Sequence, residues 1–185
     1  MGLLKDEKIL LLCEEEGMIF PYYDQQVCYH DNTKVISYGI SSYGYDIRCS
    51  DEFSVFPNSP LPIDPKNAED LNVVRADTFD IPPGAMCLTR SVEQFKIPEN
   101  CLGIAVGKST YARCGIIVNI TPLEPGWEGY LTIELSNTNS RPARVYANEG
   151  IAQILFFKGK SCFTSYADRK GKYQNQGPEI VKARL

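Results

Sequence analysis

Residues 107–137 read GKSTYARCGIIVNITPLEPGWEGYLTIELSN, and the fold turns on how this stretch is read. A short cationic, hydroxyl-bearing turn (Lys108, Ser109, Thr110, Arg113) precedes two β-type runs, Gly115–Ile120 and Tyr130–Asn137, separated by the breaker Pro125-Gly126-Trp127. In the second run, a strand places Thr132 and Glu134 on one face and Ile133 and Leu135 on the other. Glu134 is then either a solvent-facing residue of a half-exposed sheet or a general acid/base whose pKa is raised by a partly dry pocket. The pattern alone favours the surface residue. KSTYAR is short enough for a single helical turn with Ser109 as N-cap. Free N–H groups there, together with Lys108 and Arg113, suit an anion. Taken singly, Arg113 reads as a surface arginine at a helix end, and Lys108 and Ser109 as turn and cap. Taken as one block, a site and a plain surface are about evenly weighted, because perturbed titratable groups cluster at functional sites.

Outward from this block the chain is β-type. Further candidate strands are Ile47–Phe56, Val73–Ile81, Ala85–Phe95, Leu102–Val106, Ala143–Ala147 and Ile151–Phe157. They are separated by Pro57-Asn58-Ser59-Pro60, Ile81-Pro82-Pro83-Gly84 and Asn148-Glu149-Gly150. So many short strands argue for a sandwich or barrel over βαβ units. One amphipathic helix is expected over Lys5–Glu16, with Ile9, Leu12 and Cys13 on its apolar face and Gly17 as its stop. The 185 residues fit one domain, with neither a linker nor a repeat.

Composition narrows the chemistry. A net charge of −4 gives no reason to expect a bulk nucleic-acid or membrane-surface binder. The apolar runs are too short to span a bilayer, and the acidic N-terminal stretch does not read as a secretory signal. Seven cysteines, odd in number and without a C-x-x-C pair, read as free thiols in a reducing cytoplasm. The single histidine, His30, reads as a surface loop residue, so few ligands exist for a transition metal. Gly107-Lys108-Ser109 ends like a phosphate loop, but Leu102 stands where its first glycine is needed. No G-x-S-x-G element is present. The tail from Ser165 is polar and basic, with Tyr166 and Tyr173 among Arg169, Lys170 and Lys172. It reads as a mobile segment, 165–185, suited to closing over a phosphorylated ligand.

GKSTYARCGIIVN, EPGWEG and TIELSN, with SSYGYDIR (Ser41–Arg48), YANEGIAQ (Tyr146–Gln153) and SYADRKGKYQNQ (Ser165–Gln176), occur in the order in which they resemble the dCTP deaminases of the dUTPase-like superfamily. The resemblance runs from about residue 17 to residue 176. It implies a mainly β fold, a distorted β-barrel or jelly-roll of the dUTPase-like type, with an N-terminal helix and a short helix near 109–114.

It also implies a zinc-independent hydrolytic deamination of dCTP to dUTP and ammonia, supplying dUTP for dUMP and dTTP synthesis. Zinc nucleobase deaminases carry H-x-E…P-C-x-x-C, which is absent here. In the family the glutamate of the TIE segment activates water, which assigns Glu134. Ser109 and Arg113 match the residues beside it, and Lys108 assists with the phosphates. Thr110, Tyr111 and Ala112 complete that substrate-binding block. Thr132 and Ile133 match positions whose backbone meets the base. Glu124 stands where relatives carry Asp near the deoxyribose, and Tyr166, Lys172 and Gln176 match the closing tail. Mg2+ is implied as companion of the triphosphate, dTTP as an inhibitor, and a homotrimer with sites between subunits as the assembly. The alternative is a bifunctional enzyme carrying dCTP through to dUMP, ammonia and pyrophosphate. A plain dUTPase is expected to have a Gly-rich C-terminal phosphate motif in place of KGKYQNQG. A non-catalytic nucleotide-binding regulator has no need of Glu134.

Overall fold

The computed structural model describes residues 2–57 and 59–185, so Asn58 of the Pro57–Pro60 breaker lies outside the described residues. In chain order the elements are β1 (Gly2–Leu3), α1 (Asp6–Glu16), β2 (Ile19–Phe20), β3 (Val27–His30), β4 (Thr33–Ser41), β5 (Gly44–Arg48), β6 (Glu52–Val55), β7 (Val73–Arg75), β8 (Thr78–Ile81), β9 (Met86–Lys96), β10 (Cys101–Gly107), α2 (Ser109–Ala112), β11 (Ile116–Asn119), β12 (Glu128–Asn137), β13 (Ala143–Tyr146) and β14 (Gly150–Lys158). The helix α1 buries Ile9, Leu12 and Cys13. It ends at Gly17, whose φ of 68° lets its N–H reach the Cys13 carbonyl, while Met18 N–H reaches that of Leu12.

The strands form two six-stranded antiparallel sheets and a β8–β13 pair. In the first sheet β14 lies between β10 on one edge and β5 and β1 on the other, and β4 and β3 extend it. In the second, β12 lies between β11 and β9, whose far edge carries β6 and β2. Tyr45, Ile47, Phe53, Phe95, Ile133, Leu135, Ile154 and Phe156 are fully buried in one core. Each large apolar side chain so buried contributes about 1.5–3 kcal/mol.

The expected barrel is not closed among the described residues. Two isolated bridges add to the ladders: Cys49–Ser91 joins the segment between β5 and β6 to β9, and Gly103–Leu123 joins β10 to the loop before β12. At Gly103 the backbones approach so closely that a Cβ would lie 3.0 Å from the Leu123 Cβ.

Three further expectations change. The run Ile47–Phe56 splits into β5 and β6, because at Cys49-Ser50 the chain leaves the first sheet and Ser50 N–H bonds the Arg90 carbonyl of the second. The run Val73–Ile81 likewise splits into β7 and β8. His30 is not in a loop: it ends β3 of an unanticipated hairpin. Asp31 and Asn32, with φ of 46° and 61°, supply the two left-handed residues that a tight two-residue turn requires.

All seven cysteines are free thiols. Cys13, Cys49, Cys87 and Cys101 are buried and Cys28, Cys114 and Cys162 exposed. Burial pushes the Cys13 and Cys87 thiols up to about 12. Among the described residues, no helix is long and apolar enough to cross a membrane.

Candidate active site

Along β12 the burial alternates at every residue, with Ile133 and Leu135 fully buried and Thr132 and Glu134 half-buried on the opposite face. That face looks into a cavity of about 470 Å³. Its floor is Tyr130, Thr132 and Glu134 of β12 with Met86 and Leu88 of β9, where Leu88 is the register partner of Glu134. The loop Ile120–Glu124, Trp127, the side chains of Phe56 and Ile63, and the C-terminal tail form its walls.

Glu134 is half-buried on the cavity floor, between the two readings of surface residue and dry-pocket acid. Its carboxylate accepts one side-chain hydrogen bond, from Asn119 Nδ2 at 3.2 Å, across the β11–β12 pair. Loss of solvent raises its pKa above the ordinary 4.5, and the Asn119 bond opposes the rise. No cation pairs with it among the described residues. A carboxylate so placed can take a proton from a bound water and return it. The sequence reading missed Asn119; its register partnership with Glu134 is a long-range fact.

The tail packs along the cavity. Trp127 Nε1 donates to the Tyr173 carbonyl at 2.9 Å, so Trp127 is both a buried anchor and a cavity wall. Tyr130 N–H bonds the Gln176 carbonyl, Gln176 bridges Gly129, and Gln176 Nε2 donates to Thr132 Oγ1 at 2.9 Å. Gly129 is needed here: at its φ of 147° a Cβ would stand 2.7 Å from Gln176 N. Tyr166 lines the cavity, and Glu124, which also lines it, pairs with Arg169 of the tail. Lys172 is exposed, its Nζ 5.3 Å from the Tyr173 ring centroid, and does not line the cavity.

The structure does not bring the cationic turn to this cavity. Ser109, Thr110, Ala112 and Arg113 are exposed and absent from its walls. The helix α2 is one turn, shorter than 109–114. Lys108, not Ser109, is its N-cap, and no side chain caps it, because the extended conformation falls at Lys108. Such a turn carries little helix dipole. Arg113 Nη1 donates back to the Ser109 carbonyl at 3.3 Å. Tyr111 is a core residue whose hydroxyl accepts from Tyr146 N–H, which leaves its backbone for any ligand; the same holds for the buried Ile133.

SSYGYDIR acquires roles that its sequence did not disclose. Asp46, 7% exposed at its side chain, accepts from Lys108 Nζ at 2.5 Å and from Gln26 Nε2 at 2.8 Å. The motif thus holds the first cation of the turn. Arg48 pairs with fully buried Glu93 at 2.8 Å and lies over the rings of Tyr23 and Tyr38. Among the described residues no three His, Cys, Asp or Glu side chains converge where they could hold a metal ion.

A family model described as dCTP deaminase-like matches residues 4–159. The chain is 54% identical over 180 residues to the dCTP deaminase of Francisella tularensis subsp. novicida strain U112, covering 95% of this chain and 96% of that protein. The chain belongs to the dCTP deaminase-like family. A second member, the dCTP deaminase of Francisella philomiragia subsp. philomiragia strain ATCC 25017, is 53% identical over the same span. The family model ends before the tail, whereas these alignments cover 95% of the chain. The crystal structure of 2'-deoxycytidine 5'-triphosphate deaminase from Agrobacterium tumefaciens matches 88% of this chain with a TM-score of 0.62 at 17% identity. The present chain spans half the length of that one, and the likeness speaks for the β-rich family fold alone.

Proposed function

We propose that this protein deaminates dCTP hydrolytically to dUTP and ammonia, with Glu134 as the acid/base group. The observation that carries this reading is a carboxylate with a raised pKa, without a cationic partner among the described residues, lining a cavity of about 470 Å³ in a chain of the dCTP deaminase-like family. Glu134 takes a proton from water, which adds to C4 of the cytosine. A proton reaches N3, and the exocyclic amine is protonated and leaves as ammonia, which restores the C4 carbonyl. A positioned acid/base group supplies typically 10²–10⁴-fold. The rest comes from orienting ring and water and from polar groups facing the intermediate.

The reading is zinc-free. The single histidine and the missing H-x-E…P-C-x-x-C pattern support activation of water by a side chain. The described residues do not form a cage for Mg2+ either, so Mg2+ belongs with the triphosphate oxygens, and no step runs through it. The α2 turn, exposed and absent from the cavity walls, supports a homotrimer in which Ser109 and Arg113 of one copy complete the Glu134 cavity of the next. Glu124, Tyr166, Lys172 and Gln176 are assigned to sugar and triphosphate, the tail to a closing lid, dTTP to inhibition, and the protein to the cytoplasm.

Incubation with dCTP and Mg2+ tests the reading. Stoichiometric ammonia and dUTP are expected. Release of dUMP and pyrophosphate replaces it with the bifunctional reaction, and absence of turnover removes it.

A further inference from the structure

Lys108 was expected beside the phosphates, and the structure turns it inward. Its Nζ donates to Asp46 Oδ2 at 2.5 Å, with both side chains largely buried. Its backbone is held as well. The Lys108 N–H donates to the Ile151 carbonyl at 3.2 Å, and the Lys108 carbonyl accepts from Ala112 N–H at 3.0 Å. Asp46 and Ile151 belong to β5 and β14, neighbours in the first sheet. The residue that begins α2 is thus fastened to two strands. Farther along, Tyr111 is buried and its hydroxyl accepts from Tyr146 N–H at 3.1 Å. Ser109 and Arg113 are exposed, and Arg113 bonds back within the turn. Where these two point is therefore set by the fastening at Lys108 and Tyr111. Desolvation offsets much of the attraction in a buried ion pair, so such a pair adds little net stability. What it supplies here is direction, because a buried ammonium has to meet its carboxylate.

We propose that Asp46 is a positioning residue: through Lys108 it sets the orientation of α2, and so where Ser109 and Arg113 enter the Glu134 cavity of a neighbouring copy. This rests on the deaminase and shared-site reading given above. On that reading each site takes Glu134 from one copy and α2 from another. Asp46 travels with α2, so it serves a different site from the one that its own Glu134 serves. With the carboxylate removed, the Lys108 ammonium turns to water on its flexible stem, and α2 loses one of its fastenings. A misplacement of about 1 Å, caused far from the chemistry, costs on the order of 10²-fold in rate.

The test is subunit mixing of full-length chains, read by ammonia release from dCTP. Asp46→Asn alone should lower kcat about 10- to 100-fold, and Glu134→Gln alone should be inactive. The two variants are then co-expressed with different tags and purified as mixed oligomers. In a mixed trimer about one site in three joins an intact Glu134 to an α2 whose Asp46 is intact, so about a third of the unsubstituted activity should return. A merely structural defect stays in the copy that supplies Glu134, and mixing then restores nothing. Arg113→Ala mixed with Glu134→Gln is the reference for a shared site. If the reference recovers and the Asp46→Asn mixture does not, the proposal is overturned while the deaminase and shared-site readings stand. The same holds if Asp46→Asn alone keeps full activity. If neither mixture recovers, the shared site falls and takes the role of Asp46 with it. Absence of ammonia from the unsubstituted protein removes the deaminase reading itself. Should Asp46→Asn fail to fold, as judged by circular dichroism, Lys108→Met breaks the same pair and is mixed in its place, with the same outcomes deciding.

Discussion

Two carboxylates on neighbouring strands, Glu93 of β9 and Glu134 of β12, start from the same physics and end differently. Burial raises the pKa of both. Glu93 is fully buried, and Arg48 answers it with an ion pair from its Nε and a bond from its backbone N–H. Glu134 receives one amide hydrogen bond and faces a cavity. A buried charge that is fully paired can only hold structure. One that is desolvated but left without a counter-charge keeps its proton affinity for use on a ligand.

One chemical change, glutamate to glutamine, should therefore have opposite outcomes at the two positions. Glu134→Gln is expected to lower kcat by about 10²–10⁴-fold in an ammonia-release assay while leaving the melting temperature unchanged or higher. Glu93→Gln strands the Arg48 charge in the interior and should cost about 3–5 kcal/mol in denaturant unfolding. Equal stability losses for the two variants would erase the comparison.

The tail sharpens it next. Gly129→Ala places a methyl group against Gln176 and should raise KM for dCTP about tenfold. Limited proteolysis should then cut sooner within residues 165–185, while Glu134 chemistry on bound substrate persists.

The smallest effects are those of pH. The base form of Glu134 is the active one, so kcat/KM falls as pH drops through its raised pKa. Asn119→Ala removes a bond that favours the ionised form and should move this acid limb to higher pH. Stability runs the other way. The unfolded carboxyl loses its proton near 4.5, and the native one above that. Between the two values the native state binds more protons, and stability declines as pH rises through the interval. In Glu134→Gln, melting temperature against pH should be flatter there.

Local signals in the sequence carried much of the fold. The alternation Thr132–Leu135 sets the faces of β12, Gly17 ends α1, and the Pro/Gly breakers bound the later strands. The β3–β4 hairpin escaped because β4 changes from exposed to buried along its length and shows no clean period, although Asp31-Asn32 was a readable turn. Within the candidate site, the apolar neighbours of Glu134 set it apart, but the pattern alone favoured a surface residue, and its assignment came with the family resemblance. Its setting was not legible, since Arg48–Glu93, Lys108–Asp46 and Thr132–Gln176 join residues 45, 62 and 44 positions apart. Ser109 was misplaced as a cap because Ser and Thr fit that role locally, whereas the entry of the chain from β10 put the extended conformation at Lys108.

The division of the thiols supplies the molecule with built-in reporters. Thiolates, not thiols, react with electrophiles, so the buried cysteines should stay silent while Cys28, Cys114 and Cys162 label. These three sit on the β3 strand, beside the α2 turn and just ahead of the tail. A maleimide titration of the native protein thus reads three separate neighbourhoods at once. Protection of Cys114 alone would locate a subunit contact at α2, and protection of Cys162 on adding nucleotide would follow the tail.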